Sequence, residues 1–237
     1  KYLIWDEVPE NIEKINDDDT EIVREHKFIN NAVKRDNGQR NYVIKGLDDA
    51  EDNDLILLSD LDEIPSLKTI DLKNIKTKIT IFDQIMCYYK FNLAIPNYKW
   101  FGTRACLKKD LKSPQWLRNI KARKYPFYRP DILFNEKKFN NIQLIKNGGW
   151  HFTNIKSPED LEKKFQNFLH HQDFEASGLN LDDIKKMVKS NKILYDLGID
   201  RRDYKWDGKK TLERVDVSEM PKYLLNNYKK YTDWLEI

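Results

Sequence analysis

The stretch Leu55-Ile56-Leu57-Leu58-Ser59-Asp60-Leu61-Asp62-Glu63-Ile64-Pro65-Ser66 turns abruptly from oil to acid. An apolar run meets Ser59, and the carboxylates of Asp60, Asp62 and Glu63 follow at once. Like charges at close range cost free energy unless a cation or a proton relieves them. A continuous apolar strand that follows a helix suggests a sheet buried on both faces, as in α/β folds. In such sheets ligands sit beyond the carboxyl ends of the strands. Alternate positions of an extended segment point the same way, so Asp60 and Asp62 are expected on one side. Two hard oxygen ligands suit Mg²⁺ or Mn²⁺ bound together with a diphosphate. Taken alone, D-x-D reads equally well as an acidic turn.

Upstream, Lys1–Trp5 reads as a short strand. Thr20 is placed to cap a helix carrying Ile22, Val23, His26, Ile29, Asn30 and Val33. Asp36-Asn37-Gly38 is a turn signal. A second helix from Gln39 to about Ala50 would bury Val43, Leu47 and Ala50. Downstream come two β-rich runs, KITIFDQ and IMCYYKFNLAI, with Tyr88, Phe91 and Ile95 offered to a core and one of Tyr88 and Tyr89 facing outward. WFGTRACL reads as a loop entering a strand, and residues 108–147 as a long excursion. Ser157-Pro158-Glu159-Asp160 starts a helix lasting to about Phe174, with Leu161, Phe165, Phe168 and Leu169 on one face. Helices around Leu181–Leu197 and Pro221–Leu235 follow. No repeat, linker or boundary stands out, so one domain is expected.

The 237 residues suffice for a real core, and 40% hydrophobic with 12% aromatic content is globular. Forty-two basic residues nearly cancel 39 acidic ones, leaving +3, which gives no footprint for nucleic acid. Cys87 and Cys106 lack zinc or disulfide-framework spacing and read as free core thiols, with a single Cys87–Cys106 bridge as the alternative. No apolar run approaches the roughly 18–20 residues that span a bilayer.

Five blocks then resemble one family in the correct order. SDLDEIPS resembles the S-D-[VA]-D-E-I-P signature of glycosyltransferase family 17, which contains the β-1,4-mannosyl-glycoprotein 4-β-N-acetylglucosaminyltransferases. QRNYVIKGL resembles its Q-R-N helix, and YYKFNL with KWFGTR its aromatic strand and W-x-G-T segment. GGWHFTNI resembles its G-W-H block, and MPKYLLNNYKKY its P-K-Y-L-L-x-N terminus. The resemblance implies an α/β, GT-A-like (Rossmann-like) fold with a helical C-terminal part. It also implies inverting transfer of N-acetylglucosamine from UDP-GlcNAc to a sugar hydroxyl of a glycan acceptor, aided by Mn²⁺ or Mg²⁺. Relatives begin with a strand–helix–strand unit before the position of Lys1, so residues 1–237 are expected to form one transferase domain without it. A bacterial relative would work in the cytoplasm. One with an N-terminal anchor would sit at the Golgi membrane, facing the lumen.

The resemblance assigns metal contact to Asp60 and Asp62, with Asp60 also touching the donor. Glu63 is a candidate base for the acceptor hydroxyl, or a partner for a helix end or for Arg40. Arg40 can grip a phosphate or anchor Asp60, while Gln39 and Asn41 can reach uracil or ribose or simply pack. His151 is a candidate metal ligand, diphosphate contact or base, behind two glycines that admit backbone close to a ligand. Trp100 and Trp150 offer flat faces to an acceptor sugar, or fill the core. His170-His171 reads against a metal pair, because adjacent residues of a helix do not face each other, and leaves either His alone to approach the site. Two rivals stand beside the transferase. A haloacid-dehalogenase-like phosphatase would also end a strand in D-x-D, but Ile64 stands where that motif wants Thr or Val. A degenerate, sugar-binding transferase would keep the scaffold without the chemistry.

Overall fold

The computed structural model describes residues 1–237 except 69, 72–74, 76, 133, 169–170, 197–204, 207 and 237. The architecture is mixed α/β. Its helices are α1 (Glu21–Tyr42), α2 (Pro114–Asn119), α3 (Pro158–Asn167), α4 (His171–Ser177), α5 (Leu181–Lys189) and α6 (Lys222–Asn227). Its strands are β1 (Leu55–Leu58), β2 (Glu63–Pro65), β3 (Ile79–Tyr88), β4 (Leu93–Ala94), β5 (Trp100–Leu107), β6 (Ile142–Ile145), β7 (Gly149–Thr153) and β8 (Glu213–Arg214). Two compact units emerge. One comprises 1–58, 77–80 and 104–142; the other comprises 59–76, 81–103 and 143–237.

In the first unit α1 is one continuous helix through Asp36-Asn37-Gly38, followed by a 3-10 turn, Val43–Leu47. The turn expected there does not form. Gly38 is needed for close approach instead: a Cβ would come within 2.8 Å of the Trp5 ring. Lys1–Trp5 is correspondingly not a strand but irregular chain laid along α1. Asn31 anchors this chain, accepting from the Glu13 N–H and donating to its carbonyl, both at 2.8 Å. Thr20 caps α1 as expected, by accepting from the Val23 N–H. Ile22, Val23 and Val33 are exposed on this helix, and so is Val43, which was expected to be buried. Strand β1 forms where expected but is half-buried and pairs antiparallel with β5, Leu55 opposite Leu107 and Leu58 opposite Arg104. The sheet buried on both faces was therefore misread: β1 has a single described partner, and an edge strand keeps some solvent access.

The second unit is built around β3, one strand where two runs were read. Strand β7 pairs with it in parallel, β2 pairs antiparallel with β7, and β4 links β3 to β8. WFGTRACL is strand throughout, not a loop. Met86, Tyr88, Tyr89, Leu93 and Ile95 pack against Leu161, Phe165, Phe174, Ile184 and Trp206 from the helical part. Both tyrosines are buried, contrary to expectation. Tyr89 takes a positive φ of 65°, and its hydroxyl donates to the Lys192 carbonyl and accepts from the Leu194 N–H. Ser157 caps α3 with Pro158 at its first turn, as read, but α3 stops at Asn167 and α4 begins anew. Leu169, His170 and Leu197 lie outside the described residues. Cys87 and Cys106 are free and buried, and burial pushes each thiol up to about 12. Among the described residues no helix is long and apolar enough to cross a membrane.

Replacing Asn31 by Ala would leave both backbone groups of Glu13 short of a partner. The expected loss is about 1–3 kcal/mol in urea unfolding. An unchanged midpoint would show that the segment before α1 contributes nothing to stability.

Candidate active site

The acid-rich motif is not the extended segment expected. Asp60-Leu61-Asp62-Glu63 is a turn, closed by the Glu63 N–H donating to the Asp60 carbonyl at 3.0 Å, so alternation does not set where its carboxylates point. Leu61 at its tip is fully exposed. Strand β2 then pairs with β7 in the register Glu63–His151, Ile64–Trp150 and Pro65–Gly149. Residues opposed across an antiparallel pair project on the same face, which brings Glu63 and His151 together.

Three of the signature blocks interlock here. Ser59 Oγ and Thr103 Oγ1 share a hydrogen bond at 2.7 Å. The Trp100 indole N–H donates to Glu63 Oε1 at 2.8 Å, and the Asp60 N–H donates to Oε2 at 3.2 Å. The Trp100 ring stacks on His151, centroids 4.4 Å apart and planes 16° off parallel. His151 Nε2 faces Asp62 Oδ2 at 3.2 Å. Gln84 braces the far side, accepting from the Thr103 N–H and donating to Thr103 Oγ1 and to the Trp150 carbonyl.

The glycines serve this interlock. A Cβ on Gly102 would collide with Gln84 Oε1 and come within 2.8 Å of the Glu63 carboxyl. Gly149, with φ of 128°, would drive a Cβ into the Ile64 carbonyl, and Gly148 would meet the Ile145 carbonyl and Phe82. What these glycines admit among the described residues is protein rather than ligand.

Exposure separates the polar groups. Glu63 is 4% exposed and the His151 side chain 8%, whereas the Asp62 side chain keeps 46%. Burial alone would raise the Asp62 pKa. The hydrogen bond and charge of His151, the residue's own amide and the charge of Lys164 outweigh that and hold it below the usual carboxylate value. Lys164 on α3 was not singled out in the sequence, where it is one lysine among many. Burial lowers its pKa against the pull of Asp62, and its ammonium donates to Asn154 Oδ1.

Trp100 therefore has one face occupied by His151 and its N–H committed. Trp150 is half-buried, with an indole N–H that lacks a partner among the described residues. Gln39, Arg40 and Asn41 belong to the other unit. There Arg40 reaches Asp36 and the Gln115 side chain, and Asn41 Oδ1 accepts from the Gln115 N–H at 3.0 Å, tying α1 to α2. Gln39 is exposed.

No three His, Cys, Asp or Glu side chains among the described residues converge to hold a metal by themselves. A hard cation that keeps its waters and is carried on phosphate needs only one or two carboxylates. Asp62, half in solvent, and the partly exposed Asp60 fit that donor set.

The sequence model of glycosyltransferase family 17 matches residues 10–235, nearly the whole chain. The chain belongs to glycosyltransferase family 17. It is thus a glycosyltransferase, an enzyme that moves a sugar from a donor to an acceptor. No curated protein and no solved structure matches it.

Because Gly102 and Gly149 face packed groups of the transferase, Gly102→Ala and Gly149→Ala should each destabilise it by about 1–3 kcal/mol or more. Thermal or urea unfolding measures this. Wild-type midpoints would refute the claim that these blocks are wedged together.

Proposed function

We propose that residues 1–237 act as one GT-A-like transferase domain that moves N-acetylglucosamine, with inversion, from UDP-GlcNAc to a sugar hydroxyl of a glycan. The family membership supports the class of reaction. The observation that carries the donor reading is the pinned turn, from which Asp62 reaches solvent while Glu63 and His151 are packed away. Asp60 and Asp62 would hold a divalent cation, Mn²⁺ or Mg²⁺, whose contribution when bound is to offset charge on the departing diphosphate. Lys164 adds a cation beside Asp62. Trp150 and the edge of Trp100 are assigned to the acceptor sugar.

Inversion requires a base on the face opposite the leaving group. Glu63 and His151 were the sequence's candidates, and either would have to be uncovered before meeting a hydroxyl. Asp62 already has an open edge, and the role placed on it is the metal- and diphosphate-facing one, on the leaving-group side.

Calorimetric titration of UDP in the presence and absence of Mn²⁺ tests this. Binding should require the metal, and Asp62→Asn should weaken it by about tenfold or more. A folded wild-type chain that binds no UDP with Mn²⁺ would overturn the donor reading.

A further inference from the structure

Glu63 makes contacts that fix both acids of the motif. Its N–H and Oε2 close the Asp60–Glu63 turn from inside, and its Oε1 holds the Trp100 indole. Trp100 in turn covers a face of the His151 imidazole at 4.4 Å, which limits the ring's freedom to tip. The polar edge of His151 that reaches another described side chain is Nε2, and it reaches Asp62. Nδ1 is buried and has no hydrogen-bond partner among the described residues. The imidazole therefore has a single polar outlet, and that outlet ends on the one half-exposed carboxylate of the chain of contacts. The Asp62 backbone is held as well, its carbonyl accepting from the Phe152 N–H at 2.8 Å, one residue beyond His151.

From this geometry we propose that Glu63, Trp100 and His151 are positioning residues that act through Asp62. Glu63 sets the Trp100 ring, Trp100 sets His151, and His151 orients the Asp62 carboxylate toward the ligand. The arrangement reverses the common order, in which an imidazole meets the substrate and a buried carboxylate orients it. Here the carboxylate is at the surface and the imidazole behind it. Such supporting contacts matter because a carboxylate displaced by a fraction of an ångström meets its ligand poorly, and losing one typically costs about 10–100-fold in affinity or activity.

The binding arm of the test rests on the proposed donor reading, and the spectroscopic arm does not. Histidine-labelled protein gives the ring signals of His151, assigned by comparison with His151→Gln. Stacking on Trp100 should shift those ring protons upfield, and the long-range ¹H–¹⁵N pattern should place a proton on Nε2. Glu63→Gln retains an acceptor for the indole but turns an amide group toward the Asp60 N–H. Trp100→Phe keeps a ring and deletes the tethering N–H. In folded samples of either variant the His151 signals should move toward those of an unstacked ring. UDP–Mn²⁺ affinity should fall by about tenfold, as in the Asp62→Asn protein. Unchanged His151 signals in both folded variants would overturn the proposal. Moved signals with wild-type UDP–Mn²⁺ affinity would overturn it too, leaving Glu63 a stabilising residue only. A wild-type chain that binds no UDP would sink the donor reading, and the His151 signals would then decide the positioning claim alone. Should Glu63→Gln fail to fold, Trp100→Phe carries both arms.

Discussion

A carboxyl group taken out of water must find hydrogen bonds, because an unmatched buried polar group costs free energy that a domain stable by only ~5–15 kcal/mol can ill afford. Glu63, 4% exposed, solves this by accepting from the Trp100 indole and the Asp60 amide. Most of what distinguishes the site follows from that one group. The turn bearing Asp60 and Asp62 closes on it. Gly102 can carry no side chain because the Glu63 carboxyl and Gln84 occupy the space. The Trp100 ring, once tethered, has His151 as its neighbour, and His151 has Asp62.

The motifs of the family therefore have a mechanical reading alongside the chemical one. SDLDE, WFGT and GGWH lie far apart in the chain, yet each supplies parts of the same lock: Ser59 with Thr103, Glu63 with Trp100, Asp62 with His151. Gly149 lets β7 approach β2 where any Cβ would strike the Ile64 carbonyl. A residue can thus be characteristic of the motif without touching a substrate. The Q-R-N block has a mechanical part of its own in the first unit, where Arg40 and Asn41 join α1 to Gln115 at the start of α2.

Asp36-Asn37-Gly38 carries every local mark of a turn, and α1 runs through it because Gly38 lets Trp5 lie against the helix. The periodicity of Val43 pointed inward, but the helix had given way to a 3-10 turn by then and the side chain is exposed. Asp60 and Asp62 were placed on one side by a strand rule that holds only where the chain is extended. Caps fared better, since Thr20 and Ser157 act within a single turn of chain.

From the sequence alone came the family, the reaction class, the strand before the acids, the capped helix starts and the short list Asp60, Asp62, Glu63, Trp100, Trp150 and His151. These are signals carried by neighbours in the chain or by motif identity, and they need no knowledge of distant contacts. The tertiary structure decided which of those side chains reach solvent. Burial depends on what lies opposite: Glu63 and His151 face each other across β2 and β7 beneath Trp100, while Asp62 sits on the turn outside. The same physics brought in Gln84 and Lys164, which no local pattern marks because their partners are distant in sequence.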